Sequence, residues 1–310
     1  MRINDYAIET ECLTRCFGGR PVVDGLSLKV PYGGVTALIG RNGAGKTTTL
    51  KMLLGLLEPT SGSAEILGHD CRNLPSNARG RIGFMAEGHP VFGWMTVGDC
   101  EKFEKRFRSH WNSSLFDAVL KHFDIAKHLK AGRLSIGQRA GLTLGLTLAP
   151  EPDLLILDDP ALGLDPVARR GLMEAMVYFT GERERTILFS SHLLSDVDRV
   201  ADYIAVMDRG LLRALCPMDV MRESIRQYRV RFEGKPPYVS DLKGLLNAVE
   251  YPDHLRIVTV NGREYLEAEL LRRGAKDVEE EPIGLEDGLI AYLGRRGEQS
   301  FFVNEMERGK

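Results

Sequence analysis

"IGRNGAGKTTTL", residues Ile39 to Leu50, sets three glycines, a lysine and three threonines between apolar flanks. The stretch before it, "GGVTALI" (33–39), is short, apolar and partly β-branched, the pattern of a buried strand. The stretch after it, "TTTLKMLLGLLEPTSG" (47–62), repeats Leu50, Leu53, Leu54 and Leu57 at helical spacing until Pro59 ends the pattern. Strand, glycine loop and helix are the predicted context, and in it the spacing Gly40-x4-Gly45-Lys46-Thr47 has a mechanical meaning. Glycines let the backbone wrap closely around an anion, and the amides that open the helix point at it. Asn42, Gly43, Ala44, Gly45, Lys46, Thr47 and Thr48 are therefore expected to cradle the phosphates of a nucleotide, with Lys46 on the β and γ phosphates and the Thr47 hydroxyl on Mg²⁺.

A second stretch, "PDLLILDDP" (152–160), runs Leu154 to Leu157 as an apolar strand and ends on Asp158 and Asp159. Adjacent carboxylates at the edge of a core need a cation or full hydrogen bonding. Beside a phosphate loop the cation is Mg²⁺, held by Asp158 through its water shell.

Four further stretches carry a resemblance to the ATP-binding cassette of ABC transporters. "LSIGQRAGLTLGLTLA" (134–149) resembles the signature motif and its helix, immediately before the acidic strand. "ALGLDP" (161–166) is similar to the D-loop, and "TILFSSHLLSDVDRVAD" (186–202) to the strand and switch histidine, His192. Phe17 in "TRCFGG" stands where the family carries an aromatic ring that stacks on adenine. The resemblance covers roughly residues 7 to 215. It implies an α/β P-loop NTPase of the ABC type, a mixed-sheet core with a helical subdomain at about 88–150. It also implies ATP and Mg²⁺ as ligands, Lys46, Asp159 and His192 as catalytic groups, and Thr47, Glu87 and Asp158 around the metal. Ser135, Gly137 and Gln138 of the signature would meet the nucleotide of an opposite cassette, with Asp165 of each D-loop at the interface, so one copy cannot complete a site. Partners are thus expected to be a membrane permease and a second cassette, identical or different.

The chain departs from the family's pattern in three places. Asp159 replaces the Glu that polarises the attacking water, and a carboxylate set back by about 1 Å loses on the order of 100-fold in rate if nothing compensates. Glu87, after the strand "GRIGFMAEG", replaces the Q-loop glutamine, keeping an oxygen for Mg²⁺ and adding negative charge. Ile136 fills a glycine position of the signature.

The remaining sequence bounds these readings. A chain of 310 residues accommodates two domains, read as an ATP-binding domain over 1–215 and a small α+β C-terminal domain over 216–310. In the latter, "QYRVRFEG" and "HLRIVTVNGREYLEAELLRRGA" alternate strand and helix, "IGLEDGLIAYLG" is a closing helix, and Glu279 to Glu281 read as surface. Between Gly88 and Gly132 two helical patterns are expected, with Val97, Phe103 and Phe107 and then Leu115, Val119, Leu120 and Phe123 as apolar contacts. The net charge of -2 gives no field for nucleic acid. Five cysteines without a CxxC pair read as free buried thiols. No 18 apolar residues run without a charge, and the N-terminus lacks the apolar stretch of a secretory signal. The expectation is a cytoplasmic ATPase, peripheral at the inner face of the cell membrane, driving transport through a separate permease, with export favoured. A soluble ABC-type ATPase without a membrane partner and a hydrolysis-impaired regulatory cassette are the alternatives.

Overall fold

The computed structural model describes residues 5–181, 185–234, 236–261, 263–294 and 303–304, and the chain divides into two compact units, residues 1–212 and 213–310.

The first unit opens with an antiparallel sheet, in which β1 (Tyr6–Phe17) pairs with β2 (Arg20–Leu26) and β3 (Lys29–Pro31). The next strand, β4 (Gly34–Gly40), leads through the glycine loop into α1 (Lys46–Leu53). Helix α1 stops earlier than the leucine pattern suggests, because the chain turns at Gly55 and the amides of Leu56 and Leu57 bond back to the Lys51 carbonyl. Strands β5 (Ser61–Ile66) and β6 (His69–Asp70) complete the antiparallel sheet, in the order β2-β1-β5-β6 with β3 also on β1. Cys12 lies where the β1 ladder slips its register and has a positive φ of 46°. That irregularity leaves Cys12 exposed and Cys16 half-buried, so the expectation of uniformly buried thiols holds only for Cys71, Cys100 and Cys216.

Helix α2 (Ser76–Gly80) precedes β7 (Ile82–Met85), and the helical region follows with α3 (Val97–Lys105), α4 (Ser113–His122) and α5 (Ile136–Leu148). Its core is built on Phe116, Leu120, Val97, Ile125 and Leu142. Val119, Leu120 and Phe123 pack inward as expected, while Phe116 is fully buried and Leu115 only partly, so Phe116 takes the place of Leu115 in the core. Phe107 is exposed rather than a core contact and stacks edge-on with Phe103, 5.1 Å between centroids, and Phe103 with Phe92 at 5.9 Å. Helices α4 and α5 pack closely because α5 carries Gly141 and Gly145 one turn apart. A Cβ on Gly141 would stand 2.3 Å from the Phe123 ring, and one on Gly145 3.1 Å from Phe116.

After α5 come β8 (Leu154–Leu157), α6 (Pro166–Gly181), β9 (Thr186–Ser191), α7 (Leu194–Val200) and β10 (Tyr203–Asp208). These strands form a parallel sheet with the order β10-β4-β9-β8-β7. Every residue of β8 and β9 is buried, as a sheet covered on both faces requires. The register aligns Ile39 with Ser191, Leu157 with Phe189 and Met85 with Leu157. The carboxyl ends of four strands therefore open side by side, where ligands bind in sheets of this kind.

The division falls within β11 (Leu211–Pro217). The second unit continues with α8 (Met218–Ser224), β12 (Ile225–Phe232), β13 (Leu245–Glu250), β14 (Leu255–Val260), α9 (Arg263–Arg272), β15 (Ala275–Glu281) and α10 (Leu285–Gly294). Its antiparallel sheet has the order β13-β14-β12-β15, over a core of Tyr228, Val230, Leu255, Ile257, Leu266 and Leu270. The acidic run expected as surface is exposed at Glu279 and Glu280, and it forms the edge strand β15. Arg229 pairs with Glu281 at 2.5 Å, Arg226 with Glu280 at 3.5 Å and Arg231 with Asp277 at 3.4 Å, and such opposite-charge cross-strand pairs hold an acidic segment in register. The residues after Gly294 expected as a tail lie outside the described residues, apart from Val303–Asn304.

Candidate nucleotide site

The loop between β4 and α1 is held from below. Gly45 has φ 104°, and a Cβ there would meet the Val22 carbonyl oxygen at 2.6 Å, so only glycine fits. Asn42 and Gly43 are exposed at the crest of the loop, Ala44 is buried, and Thr47 and Thr48 are half-buried on the first turn of α1. No side chain caps α1, and its first turn carries no acid, which leaves its opening amides to an incoming anion. Lys46 is buried and folds back, its Nζ donating to the Gly40 carbonyl at 2.6 Å and to that of Arg41 at 3.3 Å. Burial holds the ammonium's pKa below the usual lysine range, against the opposing pull of Asp159, Asp158 and Glu87.

The end of β8 meets this lysine loop. Thr47 Oγ1 donates to Asp158 Oδ1 at 3.1 Å, and Ser190 Oγ donates to the same oxygen at 2.7 Å while accepting the Asp159 amide at 2.8 Å. Asp159 sits in the left-handed region, φ 44°, which turns its side chain out of the strand. Its Oδ2 lies 2.5 Å from His192 Nδ1, and its Oδ1 is buried without a partner. Burial raises the Asp159 carboxyl above the usual carboxylate range, opposed by the His192 hydrogen bond and the charges of His192 and Lys46. The structure thus brings together Lys46, Thr47, Asp158, Asp159 and His192, with exposed Glu87 near enough for its charge to bear on Lys46.

The signature residues stand elsewhere. Ser135 caps α5 in a reciprocal box with Gln138, each amide accepted by the other's side chain at 3.1 Å, and Gln138 Nε2 donates to the Asp124 carbonyl. Ser135, Gly137, Gln138, Asp165 and Ala168 line one groove of about 580 Å³, which includes none of the loop residues. Phe17 is 47% exposed, with the Arg15 guanidinium 4.6 Å over its ring; Arg15 is anchored on the Glu58 carbonyl at 2.7 Å. The sequence reading did not single out Ser190, which bridges both aspartates. A fully buried hydroxyl at the end of an apolar strand, in "ILFSSH", is the signal that marks it.

Oxygen donors fit the metal expected here: Mg²⁺ takes hard oxygen ligands and keeps several waters. The Thr47 hydroxyl and Asp158 carboxylate already touch, and Asp159, next in the chain, carries a buried, orphaned oxygen. Among the described residues no three His, Cys, Asp or Glu side chains converge as an all-protein metal cage.

A parallel sheet that aims an uncapped helix, a buried lysine and two strand-end acids at one point defines a P-loop nucleoside triphosphatase. Comparison with known proteins narrows the class. Residues 23–162 match the family described as ABC transporter. The bacitracin transport ATP-binding protein BcrA of Bacillus licheniformis is 33% identical over 71% of this chain and 73% of its own length. The Nod factor export ATP-binding protein I of Burkholderia lata is 31% identical over 90% of this chain and 94% of its own. A solved ATP-binding subunit of an ABC transporter superposes with a TM-score of 0.63 at 26% identity, covering 70% of this chain and 92% of that one. The chain belongs to the ABC transporter ATP-binding family and is a cassette ATPase that binds ATP; its homologues dimerise and work with membrane permease subunits. Among the described residues no helix is long and apolar enough to cross a membrane.

Proposed function

We propose that this cassette drives export through its permease from the cytoplasmic face of the cell membrane, as a peripheral subunit, and that hydrolysis proceeds at the junction of Lys46, Asp159 and His192. The names of its relatives, which concern bacitracin transport and Nod factor export, support the direction of transport.

On this reading the triphosphate takes the place of the Gly40 and Arg41 carbonyls on the Lys46 ammonium, and the opening amides of α1 receive the remaining phosphate oxygens. Thr47 and Asp158 would hold Mg²⁺, with Glu87 at the rim. When bound, the ion neutralises phosphate charge. Asp159 orients the attacking water and accepts its proton, and His192 contacts the γ phosphate. Phe17, steadied by Arg15, stacks on adenine. Ser135, Gly137 and Gln138 face the nucleotide of the second cassette, which accounts for their standing in a groove apart from Lys46.

The observation that carries the reading is the 2.5 Å contact of Asp159 with His192 beside a buried lysine. It gives this shorter carboxylate a partner, and so favours hydrolysis over a purely regulatory role. Purification from membranes after cross-linking tests the transport reading: a polytopic membrane protein is recovered with the chain, and its presence raises ATP turnover. Turnover indifferent to membranes, with no such protein recovered, would favour a soluble ATPase.

A further inference from the structure

Asp196, in the first turn of α7, is 2% exposed, and its partner is Arg169, one turn into α6, whose Nε donates to Asp196 Oδ2 at 3.0 Å. Each helix begins beside the chemistry. Asp165 directly precedes α6 and caps it, its Oδ1 accepting the amides of Val167 at 2.9 Å and Ala168 at 3.0 Å. It also lines the groove that holds Ser135 and Gly137. Helix α7 begins two residues after His192, and the intervening turn is closed by the Leu193 amide donating to Ser191 Oγ at 2.9 Å. Asp159 lies near enough for its charge to bear on Asp196.

A buried ion pair adds little stability over an apolar pair of the same shape, but it fixes geometry tightly and is expensive to half-remove. A planar guanidinium held on one buried carboxylate constrains both distance and angle between two helices.

We propose that Arg169 and Asp196 are positioning residues for hydrolysis: a strut that carries the placement of the α6 start, and with it Asp165, to the α7 start and His192. The strut rests on the reading of Asp159 and His192 as the hydrolytic pair. It makes the histidine's position depend on the loop that shares the groove with the signature residues.

The test is a mutant cycle on the full chain, read by ATP turnover and by calorimetric binding of magnesium ATP. Asp196→Asn and Arg169→Gln are expected to lower kcat roughly 10-fold, the scale of a misplacement of about half an ångström, with KM for ATP within about twofold because the lysine loop is untouched. Arg169→Lys, which returns a cation, recovers part of the loss. The double variant Asp165→Ala/Asp196→Asn is no slower than its slower single parent, because both changes cut one strut. A purely structural role would instead multiply the two losses. The strut is overturned if kcat of Asp196→Asn stays within twofold of the parent, or if the losses in the double variant multiply; should Asp196→Asn fail to fold, Arg169→Gln, on the more accessible side of the pair, decides by the same kcat criterion. Asp159→Asn and His192→Ala run alongside. If both leave turnover intact, the hydrolytic pair and the strut fall together; if they abolish it while Asp196→Asn does not, only the strut falls.

Discussion

Asp159→Asn keeps the volume of the side chain and removes its charge, so it separates catalysis from binding. In the structure one carboxylate oxygen of Asp159 contacts His192 and the other is buried and unpartnered. A positioned general base is worth 10²–10⁴ in rate, about 3–5 kcal/mol of barrier. Aspartate is one methylene shorter than the glutamate expected at this position, which argues for the low end, so kcat is expected to fall about 100-fold. Binding moves the other way. Asp159 is foremost among the three acids whose charge supports the Lys46 ammonium against burial. Without it the lysine lacks its main counter-charge, and the triphosphate supplies one. Affinity for magnesium ATP therefore holds or tightens, by up to about 10-fold on the scale of one partly screened charge. Phosphate release by the purified chain gives kcat, and calorimetry gives Kd on the same sample. Turnover within about threefold of the parent would remove Asp159 from its role. Binding lost along with turnover would reassign it to holding the cation.

Gly45→Ala places a Cβ 2.6 Å from the Val22 carbonyl oxygen at φ 104°, a backbone clash that cannot swing away; nucleotide titration is expected to show ATP affinity down at least ~10-fold, on about 1–3 kcal/mol of strain. Gly141→Val drives side-chain carbon into the Phe123 ring and should destabilise the protein by roughly 1–3 kcal/mol, read as a lower denaturant midpoint without a change in slope. Chelating the metal should weaken ATP binding by ~10-fold or more, and Glu87→Gln should ease that dependence by about fivefold, the worth of one exposed charge of on the order of 1 kcal/mol; equal Kd values with and without chelator would refute both. Glu269 is held at about 2, below its ordinary 4.5, by hydrogen bonds from Arg272 and Arg273. Because the folded value is the lower one, its stabilisation is complete above pH ~4.5 and is lost as pH falls toward 2; the melting difference between the parent and Glu269→Gln should be largest at neutral pH and close on acidification.

The lysine loop and the acidic strand end were legible because each couples a local pattern to a chemical demand. Gly45 stands where no Cβ fits, and Asp158 stands where no unpaired charge survives. What brings them together, the alignment of Ile39 with Ser191 and Leu157 with Phe189, is a non-local register that no window of residues contains. Ser190 was missed for that reason: its hydroxyl matters only because β9 lies between β4 and β8. Phe116 enters the core beside the expected Val119 and Leu120 because a helical stripe is two or three residues wide and Gly145 of α5 leaves room for its ring. The pairing of β15 was not legible because its partners, Arg226, Arg229 and Arg231, lie about fifty positions earlier.

The charge around Lys46 bears on Glu87, the acid expected at the position of the Q-loop glutamine. Three carboxylates bear on a single ammonium, so acids outnumber the lysine among the charges that act on it before a polyanion arrives. A triphosphate enters such a site only with compensating cations, from the helix amides, from the second cassette, and above all from the metal. If Glu87 holds the Q-loop position, an acid there is expected to shift more of the binding energy to the metal-bound form of ATP, which the chelation experiment reads. Asp159 fits the same balance, since its link to His192 keeps one of the three charges occupied until phosphate competes for the imidazole.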